Sequence, residues 1–168
     1  FLNPRLLQMV IDKYPLVLID QNIQIIQQTS VGTDNALAVS QGLSYISSQG
    51  HKNVGILLPT IDNSVLQERC DAVFQYSAIT GFPLKQELWL KDLGHSSEIV
   101  SEESIDRIAL HLTKHPEITA LFAFQYPLAV AADQAARRIG RTTGKDLSIL
   151  CFDSPLPLFG RPQFTHLH

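Results

Sequence analysis

Charge is scarce in this chain. Only 17% of its 168 residues are Asp, Glu, Lys or Arg, too few for a disordered tail, while 45% are hydrophobic, enough for one substantial core or two small lobes joined by short crossings. The 13 basic residues are scattered and outnumbered by 16 acidic ones, for a net charge of −3. No basic stripe exists that would neutralise several phosphates at once, so these residues themselves are not expected to hold DNA. Long hydrophobic runs are missing too. Leu16-Val17-Leu18-Ile19 and Val54-Gly55-Ile56-Leu57-Leu58 have the length of buried strands, far short of the roughly 20 residues that span a bilayer, and neither a transmembrane segment nor a membrane partner is expected. The two cysteines, Cys70 and Cys151, lie far apart without a CxxC, which argues against a disulfide framework or zinc site and for two buried, small apolar side chains. Phe1-Leu2-Asn3-Pro4-Arg5 has no initiator Met, charged n-region or apolar h-region, so the chain reads as cut from something longer.

Enzyme signatures are absent as well. Gly42-Leu43-Ser44-Tyr45-Ile46 lacks the second glycine of a nucleophile elbow, no Walker A lysine loop occurs, and no GxGxxG opens a helix. Among six histidines, His111 and His115 form an i,i+4 pair, but the first has no adjacent Glu and no third ligand is near. They read as a helix end where His favours the dipole, and not as a metal site. No enzyme activity, metal or cofactor is expected.

What is present is an alternation of apolar runs with segments of helical period, the pattern of an α/β fold with a mostly parallel sheet and helices on both faces. Helices are expected near 4–13, 35–49, 64–80, 102–114 and 128–140, and strands near 15–20, 29–32, 53–58, 87–91, 119–124 and 147–152. Asp34 suits an N-cap, Ser64 with Gln67 reads as a capping box, Pro127 fits a first helical turn, and Gly50, Gly81 and Gly140 fit left-handed positions after helices. After a Pro-rich loop (Pro155, Pro157, Pro162), the tail from Gln163 to His168 reads as one more extended segment. Residues 1–46 are expected to be the end of one lobe plus a hinge crossing, 47–155 a second lobe, and 156–168 a return crossing.

Ligands of open α/β sheets bind beyond the carboxyl ends of the strands, and polar residues stand there. Asp20, Asp92, Gln125 and Asp153 each follow an expected strand. Carboxylates accept from adjacent hydroxyls, amides donate and accept, and arginine donates in a planar fork, so the set suits a polyhydroxylated ligand better than a catalytic cycle. The plainer alternative is that each residue starts a loop or caps a helix.

The runs Tyr14-Pro15-Leu16-Val17-Leu18-Ile19-Asp20, Val31-Gly32-Thr33-Asp34-Asn35 and Ser48-Gln49-Gly50-His51-Lys52-Asn53-Val54-Gly55-Ile56 resemble the effector domains of the LacI/GalR family. So do Gln67-Glu68-Arg69-Cys70-Asp71-Ala72-Val73, Thr119-Ala120-Leu121-Phe122-Ala123 and Asp146-Leu147-Ser148-Ile149-Leu150-Cys151-Phe152-Asp153, and the family order holds across nearly the whole chain. The resemblance implies a two-lobed, periplasmic-binding-protein-like type I domain with an incomplete N-terminal lobe, and a sugar-like effector between the lobes. It also implies a homodimer and a DNA-binding head, of either the LacI or the GntR type, outside these residues. The function implied is effector binding and dimerisation in a cytoplasmic bacterial transcriptional repressor. An extracytoplasmic sugar-binding protein of an ABC transporter shares the fold and is the alternative.

By position, the resemblance makes Asp20, Arg69 and Asp153 effector contacts, with Asp34 and Asn63 at further polar positions. Each has a plain alternative in a cap, a local ion pair or a loop contact. The chain departs from the family where Gln125-Tyr126 replaces the usual Asn-Asp and where Leu93 stands in place of a pocket aromatic; Tyr126 or Phe124 is expected to supply a stacking face.

Overall fold

The computed structural model describes residues 4–15, 17–20, 29–61, 63–94, 100–154 and 162–167. Helix α1 (Pro4–Ile11) precedes a two-stranded parallel sheet, β1 (Val17–Ile19) with β2 (Thr29–Val31), in which Leu18 pairs with Ser30. Five of the six strand residues are exposed, and only Leu18 is buried.

The rest of the chain folds around a second sheet. Strands β3 (Val54–Leu57), β4 (Ala120–Ala123), β5 (Ser148–Phe152) and β6 (Thr165–Leu167) lie side by side in that order, all parallel. Helices α2 (Asn35–Ser48) and α3 (Ser64–Thr80) cover one face, and α4 (Glu102–Lys114) and α5 (Tyr126–Arg138) the other. Because successive strand residues point to opposite faces, β3 and β4 feed both layers at once. Ile56 and Phe122 face α2 and α3, whereas Leu57, Leu121 and Ala123 face α4 and α5. This explains why the strands read as continuous apolar runs. The division expected at residue 46 falls inside α2, whose Val39, Leu43 and Ile46 pack into the four-stranded unit.

Local chemistry sets the element ends. Asp34 Oδ1 accepts from the Leu37 amide and caps α2. The capping box expected at Ser64 is replaced by a simpler cap one residue earlier, where Asn63 Oδ1 accepts from the Leu66 amide at 3.0 Å. A reciprocal box is found on α4 instead, between Ser101 and Ser104. Gly50, Gly81 and Gly140 all take the positive φ expected after helices.

The strand expected over 87–91 is largely replaced. Gln86–Leu88 form a 3-10 turn, and only Leu90 bridges to β3, through Leu58 N–H to Leu90 O and Leu90 N–H to Ile56 O, both 2.9 Å. The extended tail segment is present as β6, while Pro155 and Pro157 of the expected loop, and residues 156–161 and 168 of the expected return crossing, lie outside the described residues.

Candidate functional site

Arg69, on the second turn of α3, is brought to the carboxyl ends of β4 and β5 and is buried, with 7% of its surface exposed. Its Nε donates to Asn35 Oδ1 at 3.0 Å and its Nη1 to the Phe124 carbonyl at 2.8 Å. Its guanidinium carbon lies 3.6 Å from the centroid of the Phe152 ring. Burial pushes the Arg69 pKa down, and the nearby carboxylates of Asp153 and Asp20 pull it back up. Among the described residues no carboxylate pairs with Arg69 directly. Asn35 and Phe124 each take one N–H of the guanidinium and Phe152 stacks on its face, contacts that make its burial tolerable.

Asp153 follows β5 with φ 62° and Asp20 follows β1 with φ 49°, so both strands end in a left-handed residue and both carboxylates are exposed. Such a φ is uncommon for residues other than glycine and tolerated best by Asn and Asp. Asp20 Oδ1 also accepts from the Thr33 amide at 3.3 Å. A polar cavity of about 260 Å³ lies beside it, lined by Asp20, Ser30, Thr33, Asn35, Val65 and Glu68. Thus Arg69, on α3, lies within electrostatic reach of Asp153 at the end of one sheet and of Asp20 at the end of the other, while the polar cavity itself is lined by Asp20, Asn35 and Glu68.

Other expected positions go elsewhere. Asp34 and Asn63 each commit an oxygen to a helix cap. Leu93 does not line the cavity: it is 1% exposed and belongs to the layer beneath α4 and α5, tied by its amide to the Leu58 carbonyl. Phe124 offers no stacking face, because it is fully buried edge-on to both Phe122 and Phe152. Tyr126 turns toward β6, with its ring against Phe164 and its hydroxyl 3.3 Å from Gln163 Oε1. Gln125 precedes α5 without capping it, and its buried Oε1 has no partner among the described residues. Asp92, also at positive φ, offers its carbonyl to Arg107. His111 is tied to the Leu88 carbonyl and its ring lies 4.6 Å from that of His115, tilted by 48°, while His115 pairs with Glu117.

Three residues of the site escape a reading of the sequence. Phe152 looks like any strand residue, Asn35 looks like part of a cap, and Glu68 looks like an ion-pair partner for its neighbour. Only the packing of α2 on α3 brings Asn35 between Glu68 and Arg69. A second cavity, of about 290 Å³, opens at the amino ends of β4 to β6 between Tyr45, Gln49, Thr143 and Ser148; there His51 bridges the hydroxyls of Thr119 and Ser148 at 2.9 and 3.1 Å. It lies at the other end of the strands from Arg69, away from the edge where such sheets bind ligands.

A parallel lobe whose carboxyl edge presents a buried arginine toward the end of a second parallel sheet defines a two-lobed ligand-binding protein. A profile described as periplasmic binding protein-like domain matches residues 43–168, and the chain belongs to that family, as an effector-binding domain of the LacI/GalR type. It is 27% identical over 145 residues to the HTH-type transcriptional regulator DegA of Bacillus subtilis, covering 86% of this chain and 41% of that protein. A regulatory protein of the LacI family from Chloroflexus aggregans superposes with a TM-score of 0.75 at 25% identity, over 89% of this chain and 52% of the other. A LacI family regulator from Lactobacillus casei with bound glucose shares the fold, with a TM-score of 0.72 at 20% identity over 90% of this chain and 56% of the other. The chain thus spans less than half the length of the curated relative.

Proposed function

We propose that the cleft between the two sheets binds a small polyhydroxylated effector, a sugar or sugar derivative, and that this domain is the effector-binding and dimerising part of a cytoplasmic bacterial transcriptional repressor. The observation that carries the reading is Arg69, a buried cation held by Asn35, Phe124 and Phe152 at the carboxyl ends of β4 and β5, within electrostatic reach of Asp153 after one sheet and Asp20 after the other. An effector that touches both lobes binds the closed arrangement better, shifts the population toward it, and so changes the relative placement of DNA-binding heads in a dimer. By linkage, operator DNA and effector alter each other's affinity by the same factor. Binding without turnover is the whole of the chemistry.

Calorimetry on the full-length protein with D-glucose, D-galactose, D-ribose and L-arabinose tests this. At least one sugar binds, and Arg69→Ala and Asp153→Ala each weaken it about tenfold or more, about 1.4 kcal/mol, while melting stays cooperative. Affinity unchanged in both variants sinks the assignment, and conversion of the sugar to a product would make the protein an enzyme.

A further inference from the structure

We infer that Asn35 and Glu68 are positioning residues of the effector site: together they fix the guanidinium of Arg69 and tie it to the segment that crosses from the first sheet into α2. This rests on the effector reading of the cleft. Asn35 is the first residue of α2, is 4% exposed, and uses both ends of its amide, accepting from Arg69 Nε at 3.0 Å and donating from Nδ2 to Glu68 Oε2 at 2.8 Å. The orientation is forced, since the reversed amide would set NH2 against an N–H donor and oxygen against a carboxylate. Glu68 therefore acts on Arg69 through Asn35 and not by pairing with it.

The same clamp has a tether on its other side. Thr33 N–H donates to Asp20 Oδ1 at 3.3 Å, and a Cβ on Gly32 would stand 3.3 Å from that oxygen, so the crossing rests closely on the end of β1. Two residues after the tether comes the clamp. A rotation of one sheet against the other that pulls on Gly32–Asp34 is transmitted to Asn35 and thence to the direction in which Arg69 presents its remaining N–H groups. A cap and a buried amide in one turn also leave α2 little freedom to absorb the motion. Effector binding and lobe angle are coupled through a side chain that need not touch the effector.

The test exchanges the two chemistries. Asn35→Asp alone puts carboxylates face to face, whereas Asn35→Asp with Glu68→Gln restores one donor and one acceptor in reversed order and still offers Arg69 an acceptor. Two readouts on the full-length protein are needed: solvent exchange of the Arg69 Nε–H by nitrogen-15 NMR, and the affinity for D-glucose, with the other three sugars alongside. Asn35→Asp is expected to lose protection and affinity by about tenfold each at pH 7.5, with recovery as pH falls and one carboxyl of the pair takes up a proton. The double variant is expected to recover both readouts at pH 7.5. Asn35→Leu loses both at every pH. A double variant no better than Asn35→Asp overturns the inference, as does lost Nε–H protection in Asn35→Leu with unchanged affinity. If the parent chain shows a protected Nε–H and binds none of the sugars, the effector reading fails first and the inference with it.

Discussion

Cys70 and Cys151 lie on opposite faces of the same sheet, one in the layer under α2 and α3 and the other under α4 and α5. Burial pushes the Cys70 thiol up to about 11, with Asp71 adding to it, and the Cys151 thiol up to about 12, with Asp153 adding to it. The thiolate is the nucleophile, so neither group reacts in the native state at pH 8. An unfolded thiol ionises near 9 while the folded pair keeps its protons to 11 or 12. Above pH 9 the unfolded state therefore binds fewer protons, and the stability these groups supply, present in full below pH 9, is lost as pH rises through the folded values. Two measurements check this: an aromatic disulfide reagent at pH 8 should modify the native protein only at its unfolding rate, and urea midpoints should fall between pH 9 and 11. Rapid labelling of the native chain would contradict the burial of both. At this scale the sequence told what each residue type wants but not always which neighbour supplies it. The burial of both cysteines, the Asp34 cap and the positive-φ glycines were legible; Leu93, Phe124 and Asn35 were not, because their surroundings are assembled from elements that meet only in the folded chain, α4 and α5 for Leu93 and α2, α3 and β4 for the other two.

Among the elements, α3 and α4 begin and end where the helical period puts them, and the strands are shorter than expected by a residue or two at their ends. The exception is the segment after Pro83. Gln86–Leu88 tighten into a 3-10 turn, from which Leu88 packs into the layer under α4 and α5 and Trp89 into the layer under α2 and α3. His111 on α4 secures that turn by donating from Nε2 to the Leu88 carbonyl at 3.0 Å. Burial lowers the His111 pKa, against the opposing pull of that hydrogen bond. A histidine kept neutral in the fold supports stability above its ordinary value of 6.5, and the support is lost as pH falls through the lower folded value, where the folded state must take up a proton it disfavours. Urea midpoints are expected to drop from pH 7 toward pH 5, and His111→Gln, which keeps an N–H donor without the titration, should flatten part of that drop. An identical pH profile in the variant would remove His111 from the account.

For the whole molecule, the βαβ order and the placement of polar residues at strand ends were readable from the sequence, since both follow from short-range patterns. The division of labour between the two sheets was not, because it depends on how much each can bury. The four-stranded sheet is covered on both faces and its Ile56, Leu57, Phe122 and Cys151 are almost fully enclosed, whereas Val17, Ile19 and Val31 of the two-stranded sheet are 61%, 74% and 61% exposed. A two-stranded sheet with one buried residue has little beyond its ladder to hold it. Opening free energies follow local burial, so hydrogen exchange of this chain should show two tiers: the Asp20 amide, bonded to the Val31 carbonyl, exchanges through local opening, while the amides of β4 and β5 exchange only with global unfolding. Effector binding adds a specific shift to that picture. Closure that brings Asp20 toward Arg69 shortens the path of the crossing, so protection should rise at Asp20 and Thr33, the two ends of the tether, more than at β4 and β5, which are already at the global limit. A uniform rise across all amides would mean that the sugar stabilises the fold without closing it, and would separate the binding proposed for Arg69 and Asp153 from the lobe motion that the proposed repressor needs.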